Sequence, residues 1–63
     1  MENKIKECRI EQGLTQAELA KKSGVARTII VQLENGTRDV VTSKTMISIA
    51  RGLNSTVDEI FLF

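Results

Sequence analysis

Few side chains in this 63-residue sequence could carry out covalent or acid–base chemistry. The sequence has one cysteine, Cys8, and no histidine, so the usual general base and the commonest metal ligand are missing. A single cysteine cannot form an intramolecular disulfide, and no cluster of cysteine and histidine is spaced to hold zinc. No glycine-rich phosphate loop is present either. The sequence therefore predicts no enzyme, no metal site and no cofactor.

The charged side chains are unevenly distributed, although the net charge is only +1. Residues 13–52 hold three acidic and six basic side chains, whereas the segment before them is balanced and the one after them is acidic. The basic side chains are Lys21, Lys22, Arg27, Arg38, Lys44 and Arg51. Such a segment favours a polyanion as partner. An ordinary solvated surface is the alternative, because the pI of 7.9 lies below the value above 9 that marks strong nucleic-acid binders.

The length predicts one domain over residues 1–63 with a small core, since a chain of this size buries only about 60% of its unfolded surface. The polar N-terminal segment is unlike a signal peptide, and no apolar run approaches the ~18 residues of a membrane span. We therefore expect a chain that acts in a reduced cytoplasm and binds no membrane. Cys8 has inward helical spacing, which favours a buried small hydrophobe over a redox sensor.

Helical spacing and end signals predict five short helices. The first covers about residues 2–12, and the second opens at Thr15, whose capping box is closed by Glu18, and stops at Gly24. The fourth covers residues 43–53 with Thr42 as its cap. The fifth lies in "STVDEIFLF", where we expect Ser55 and Asp58 to form the capping box and Val57, Ile60 and Phe61 to face the core.

The third element is ambiguous because residues 28–31 are an unbroken β-branched run, which by propensity favours a strand. No partner strand exists in the sequence, and Val25, Ile30 and Leu33 share one helical face. We therefore predict a helix over about residues 26–34, ended by Asn35-Gly36. β-Branched residues disfavour a helix by only a few tenths of a kcal/mol each, which packing can outweigh.

Two short helices joined by a tight turn at Ser23-Gly24 have the layout of a helix-turn-helix. The segments "GLTQAELA" and "QLENG" stand at the right distance, and with "IARGL" and "VDEIF" nearly the whole chain resembles the phage repressor and Cro-type (XRE-like) helix-turn-helix family. The resemblance implies an all-α, compact five-helix repressor-like DNA-binding domain whose helices 2 and 3 form the motif. It also implies double-stranded DNA as the partner.

In that family the second helix of the motif lies in the major groove with its N-terminal residues at base edges. Carried over by position, the resemblance implies base contacts from Ala26, Arg27, Thr28, Val31 and Gln32. It implies phosphate contacts from Gln16 and Arg38, and an internal ion pair between Arg9 and Glu34. The side-chain types agree, since arginine can bind guanine, glutamine can bind adenine, and methyl groups can meet the methyl of thymine.

The sequence departs from the family pattern at four places. Ser23 replaces an aliphatic residue, Ile29 replaces a small polar one, and the loop "NGTRDVVTS" is one residue longer and lacks a proline. Ala26 replaces the usual serine or threonine, which removes a helix cap worth about 1 kcal/mol. Ile29 and Val31 are expected to form an outward or sideways apolar edge.

The function implied is a sequence-specific transcriptional regulator, a repressor that binds a palindromic operator as a homodimer. A protein-interaction module on the same fold, such as an antitoxin or a regulator that sequesters a partner, is the alternative. Leu62 and Phe63 remain apolar after helix 5 has packed, so we expect them at the dimer interface, with Val40 and Val41 as the next candidates. No effector domain or small-molecule ligand is indicated.

Overall fold

The computed structural model describes residues 2–61, and within that range it contains five helices. They are α1 (Ile5–Glu11), α2 (Gln16–Ser23), α3 (Arg27–Asn35), α4 (Ser43–Gly52) and α5 (Val57–Ile60). The only extended pairing among the described residues is an isolated antiparallel bridge between Asn3 and Phe61. The predicted all-α, five-helix fold with its helix-turn-helix in α2 and α3 is confirmed.

The end signals of α2 operate as predicted. The Thr15 side chain accepts a hydrogen bond from the Glu18 N–H, and the Glu18 carboxylate accepts one from the Thr15 N–H. These bonds hold the pKa of Glu18 below its usual range, because they favour the ionised carboxylate. Gly24 ends the helix in the left-handed region at φ 73°, where a side chain would be strained.

The β-branched run is helical. Ile30 in α3 is fully buried and Leu33 is 2% exposed, so packing of this face outweighs the strand propensity of residues 28–31. Ala26 precedes the helix with no side-chain capping bond, as predicted. Gly36 ends it with φ 73°.

The predicted start of the first helix at residue 2 is wrong, because α1 begins at Ile5. The Asn3 side chain accepts a hydrogen bond from the Ile5 N–H at 3.2 Å and thereby takes the place of an earlier helical turn. The Lys4 N–H donates to the carbonyl of Ile60 at 2.7 Å. Pairing with the other end of the described chain therefore holds residues 3 and 4 outside the helix.

The predicted capping box of the last helix is wrong by one residue. Thr56 caps α5 and Glu59 closes the box, in place of Ser55 and Asp58. Asn54 adopts a left-handed conformation with φ 53°, and the Ser55 hydroxyl donates back to the carbonyl of Leu53 at 3.1 Å. Because the Ser55 hydroxyl is engaged in this turn, it does not cap α5, and Thr56 is the N-cap residue instead.

The core lies where the five helices meet. Its buried members come from every helix and the segments that end them: Ile5, Leu19, Ile30, Leu33, Ile49, Ala50, Leu53, Ile60 and Phe61. α2 packs against both α3 and α4, and α1 packs against α3. The half-buried Cys8 packs against this core, and burial raises the pKa of its thiol. None of the described helices is long and apolar enough to cross a membrane.

Candidate nucleic-acid interface

The burial of one face of α3 determines which of its side chains face away from the core. Ile30 and Leu33 point into the core, so the side chains of Arg27 and Thr28 at the start of the helix project away from it. Ala26, Arg27 and Thr28 are exposed there. Val31 and Gln32, one turn further along, are half-buried. The five side chains expected at base edges thus lie at the start and along one side of a single helix.

Arg27 is the first residue of α3 and is exposed. Its guanidinium makes no hydrogen bond or ion pair with any other residue of the described chain. The first turn of α3 contains no acidic residue that could compete for it. Its five donors are therefore available to a ligand, and their planar fork suits a base edge with two acceptors.

Behind this helix, Arg9 of α1 and Glu34 of α3 form a two-point ion pair. The Arg9 Nε donates to Glu34 Oε2 at 2.8 Å, and its Nη2 donates to Oε1 at 3.0 Å. The Arg9 Nη1 donates to the carbonyl of Leu14 at 2.8 Å. The two side chains are 12% and 2% exposed, and the carboxylate raises the pKa of Arg9 further. The pair therefore joins α1 to the last turn of α3 with little solvent access.

Gln16 belongs to the same network. Its Nε2 donates to Glu34 Oε1 at 3.2 Å, so the single carboxylate of Glu34 links α1, α2 and α3. Gln16 is the first residue of α2 and is half-buried. One amide hydrogen faces Glu34, and the second remains for an external acceptor such as a phosphate oxygen. The sequence pattern did not reveal this contact, because it joins residues that are far apart in the chain.

Arg38 lies against α3. Its Nε donates to Gln32 Oε1 at 3.1 Å, and its Nη1 lies 3.5 Å from the carbonyl of Val40. The structure therefore brings together a residue expected at phosphates and one expected at a base. This contact was not predicted from the sequence, although Gly36 could have indicated it. A left-handed residue reverses the chain and returns residue 38 alongside the last turn of the helix.

Ile29 packs sideways and does not project freely. It is half-buried against the core and lines a shallow cleft of about 200 Å³ between α3 and the start of α4. The other lining residues are Arg38, Val40, Val41, Thr42 and Thr45. The longer loop thus lies against the apolar side of α3, while its Val40 remains 77% exposed.

The remaining predicted residues fall into two groups. Lys21, Lys22 and Lys44 are exposed, on the last turn of α2 and the first turn of α4. Leu62 and Phe63, expected at a dimer interface, lie outside the described residues.

Comparison with known proteins places this geometry in context. The profile of the helix-turn-helix family matches residues 5–60. Two proteins of Archaeoglobus fulgidus, each described as an uncharacterized HTH-type transcriptional regulator, are 41% and 43% identical over the whole chain, which spans 89% and 87% of them. A third, from Methanocaldococcus jannaschii and described in the same terms, is 38% identical, and the chain spans 94% of it. No solved structure matches significantly.

Proposed function

Since this chain belongs to the helix-turn-helix family, we propose that it is a transcriptional repressor that binds a palindromic duplex site as a homodimer. Membership of the family makes the protein a transcriptional regulator with a helix-turn-helix DNA-binding domain. The observation that carries the proposed DNA contact is the start of α3, where Arg27 and Thr28 are exposed and the Arg27 guanidinium is unoccupied within the described chain.

In this proposal α3 lies in the major groove. Arg27 binds guanine through its O6 and N7, and the methyl groups of Thr28 and Val31 meet thymine. Gln32 reads the next base along, and Ala26 approaches the groove wall without a polar contact of its own. Gln16 binds a phosphate with the amide hydrogen that Glu34 leaves unused, which fixes the register of the helix on the duplex.

The proposed dimer follows from the size of the readout. One recognition helix contacts only a few base pairs, and two helices related by a two-fold axis double that number. Their half-sites would lie one turn of DNA apart, roughly 34 Å. Leu62 and Phe63 are the proposed interface, because they are apolar and follow the acidic segment of the sequence, outside the basic residues 13–52. Repression is the expected result where such a dimer covers a promoter.

Selection of bound sequences from a random duplex pool tests the proposal. We expect an enriched motif with two-fold symmetry, and an affinity that falls with salt at a log–log slope near −0.9 per phosphate neutralised. Arg27→Ala should lower affinity by about 1–3 kcal/mol and relax the preference at one base pair. Lys21→Ala, at the exposed end of α2, is the matched loss of one positive charge and should leave every base preference unchanged.

A flat salt dependence and no enriched motif would instead favour a protein-interaction module. The observation that supports this second function is the presence of three large exposed apolar side chains among the described residues: Ile10, Val40 and Ile47. Equal losses for all sequences in Arg27→Ala would make that residue a phosphate contact.

A further inference from the structure

We propose that Arg38 sets the base preference of Gln32 by holding its side-chain amide in one orientation, so that Gln32 reads guanine and not adenine. The inference rests on the proposed function, in which α3 lies in the major groove. It gives Arg38 a positioning role, whereas the family resemblance implies a phosphate contact that carries no sequence information.

The contact itself fixes the amide orientation. The Arg38 Nε donates to Gln32 Oε1 at 3.1 Å. A guanidinium has only donors, so the amide atom that faces it must be the oxygen. The Nε2 amino group of Gln32 therefore points away from Arg38. Reversing the amide would place two donors against each other.

The loop keeps Arg38 in place. The Gly36 and Thr37 N–H groups both donate to the backbone carbonyl of Gln32, the latter at 2.9 Å, and the Thr37 hydroxyl lies 3.3 Å from the same oxygen. The backbone carbonyl of Gln32 thus holds Gly36 and Thr37, the two residues that lead to Arg38. The side chain of Gln32 accepts a hydrogen bond from Arg38 itself. Both side chains are half-buried, which restricts their rotamers. The amide is oriented before any ligand arrives.

The orientation changes what Gln32 can read. To bind adenine at two points, a glutamine donates to N7 and accepts from the N6 amino group with its oxygen. In this chain that oxygen faces Arg38. The outward Nε2 offers donors only, and the guanine edge in the major groove presents only acceptors, N7 and O6. The adjacent positive charge of Arg38 further disfavours the donor N6 of adenine.

The experiment begins with selection from a random duplex pool by the unaltered protein and by Gln32→Ala. The base pair whose preference disappears in Gln32→Ala is the one that Gln32 reads. We expect the unaltered protein to prefer guanine over adenine there by about 5- to 150-fold, the range of one good base contact. In Arg38→Ala that ratio should fall to near parity, with the preferences at all other positions retained.

Arg38→Lys is the matched control, because it keeps the charge and removes the planar fork. Lysine acts as a point charge at the end of a flexible chain, so it can replace a phosphate contact but does not hold the amide. We expect Arg38→Lys to keep the general attraction of a positive charge to DNA, while its guanine preference stays much closer to that of Arg38→Ala than to that of the unaltered protein. If Arg38→Ala weakens all sequences by one factor and leaves the motif unchanged, Arg38 is a phosphate contact and the inference is wrong. An adenine preference in the unaltered protein would also overturn it.

A measurement without DNA examines the orientation directly. The side-chain amide of Gln32 should be ordered by 15N relaxation in the free protein and mobile in Arg38→Ala, with the backbone of α3 unchanged. Equal mobility in both would overturn the inference. A chain that binds no duplex selectively would overturn the proposed function and the base assignment together, whereas selective binding with an unchanged motif in Arg38→Ala overturns the inference alone.

Discussion

At the scale of single residues, the carboxylate of Glu34 makes the densest set of polar contacts near the candidate interface. It accepts from Arg9 at two points and from Gln16 at a third, and it is 2% exposed. Removing one member of a buried pair leaves the other charge without compensation, which costs more than the pair itself contributes. Glu34 therefore acts chiefly as the group that makes the burial of Arg9 possible.

We expect Glu34→Ala to lower the free energy of unfolding by about 3–5 kcal/mol, as is typical for a broken buried pair. Arg9→Ala alone should also destabilise, and the double variant should lose less than the sum of the two. Urea unfolding of all four proteins gives the coupling energy. A coupling near zero would mean that water compensates both charges and that the pair has no structural role.

At the scale of the helices, α3 has an incomplete beginning. α2, α4 and α5 each begin at a threonine whose hydroxyl accepts a backbone hydrogen bond, whereas Ala26 offers none. Its backbone, with φ −56° and ψ 136°, lies close to the extended conformation that the threonine caps adopt. The helix nearest the proposed DNA is thus, like α1, one that begins without a side-chain bond from its N-cap residue.

Ala26→Ser should stabilise the protein by about 1 kcal/mol, because it supplies the missing acceptor without moving the backbone. Thermal unfolding measures the gain. The matched control is Thr42→Ala, which removes the existing cap of α4 and should cost about as much. If Ala26→Ser stabilises nothing while Thr42→Ala destabilises, the first turn of α3 obtains its capping elsewhere.

Gly24 and Gly52, at the ends of α2 and α4, are required for different reasons. Gly24 has φ 73°, and a Cβ added there would have no heavy atom within 4 Å. A Cβ on Gly52 would meet the Ser23 Cβ at 3.0 Å and the Leu19 Cδ1 at 3.2 Å. The first position requires a left-handed backbone and the second requires the absence of a side chain where α2 and α4 meet.

Substitution by asparagine and alanine separates the two requirements. At Gly24, Asn should be tolerated better than Ala, since asparagine adopts the left-handed conformation more readily. At Gly52 the order should reverse, because the larger side chain increases the overlap, with about 1–3 kcal/mol lost for Ala. Chemical denaturation of the Ala and Asn variants at each glycine gives the order of their free energies of unfolding at both positions. The same order at both sites would contradict this distinction.

The sequence predicted the features that depend on neighbouring residues. The Thr15–Glu18 box, the Gly24 and Gly36 stops and the inward face of α3 all follow from local spacing. It was wrong at residues 2–4 and at Ser55, where pairing between residues 3 and 61 and a turn through Asn54 decide the helix starts. It also missed the Gln16–Glu34 contact, because a hydrogen bond between two helices depends on how the helices are placed. The Arg38–Gln32 contact was missed as well, although the Gly36 turn that returns residue 38 to α3 is a local signal.

At the scale of the whole molecule, the proposed dimer places two copies of α3 on two symmetric half-sites of DNA. We expect deletion of Leu62 and Phe63 to shift the mass measured by light scattering from dimer to monomer. Binding to a palindromic site should weaken sharply, while binding to one half-site should change little, since the deletion leaves α3 intact. An unchanged dimer would move the interface elsewhere, with the 77%-exposed Val40 and its neighbour Val41 as the next candidates.

A full-length chain that stays monomeric at high concentration and binds a single half-site would contradict the dimer altogether. Ile10→Lys on α1 is a suitable control for non-specific association, because Ile10 is 58% exposed and belongs to neither of the two candidate dimer interfaces.

The bridge between Asn3 and Phe61 bears on the order in which the molecule assembles. The end signals of α2, α3 and α4 lie within a few residues of each helix, so these helices can form from local sequence. The bridge joins the two most distant parts of the described chain, and its closure entropy is small only once the helices between have collapsed. We therefore expect the bridge to form after the transition state for folding, so that its loss should raise the unfolding rate and leave the folding rate nearly unchanged.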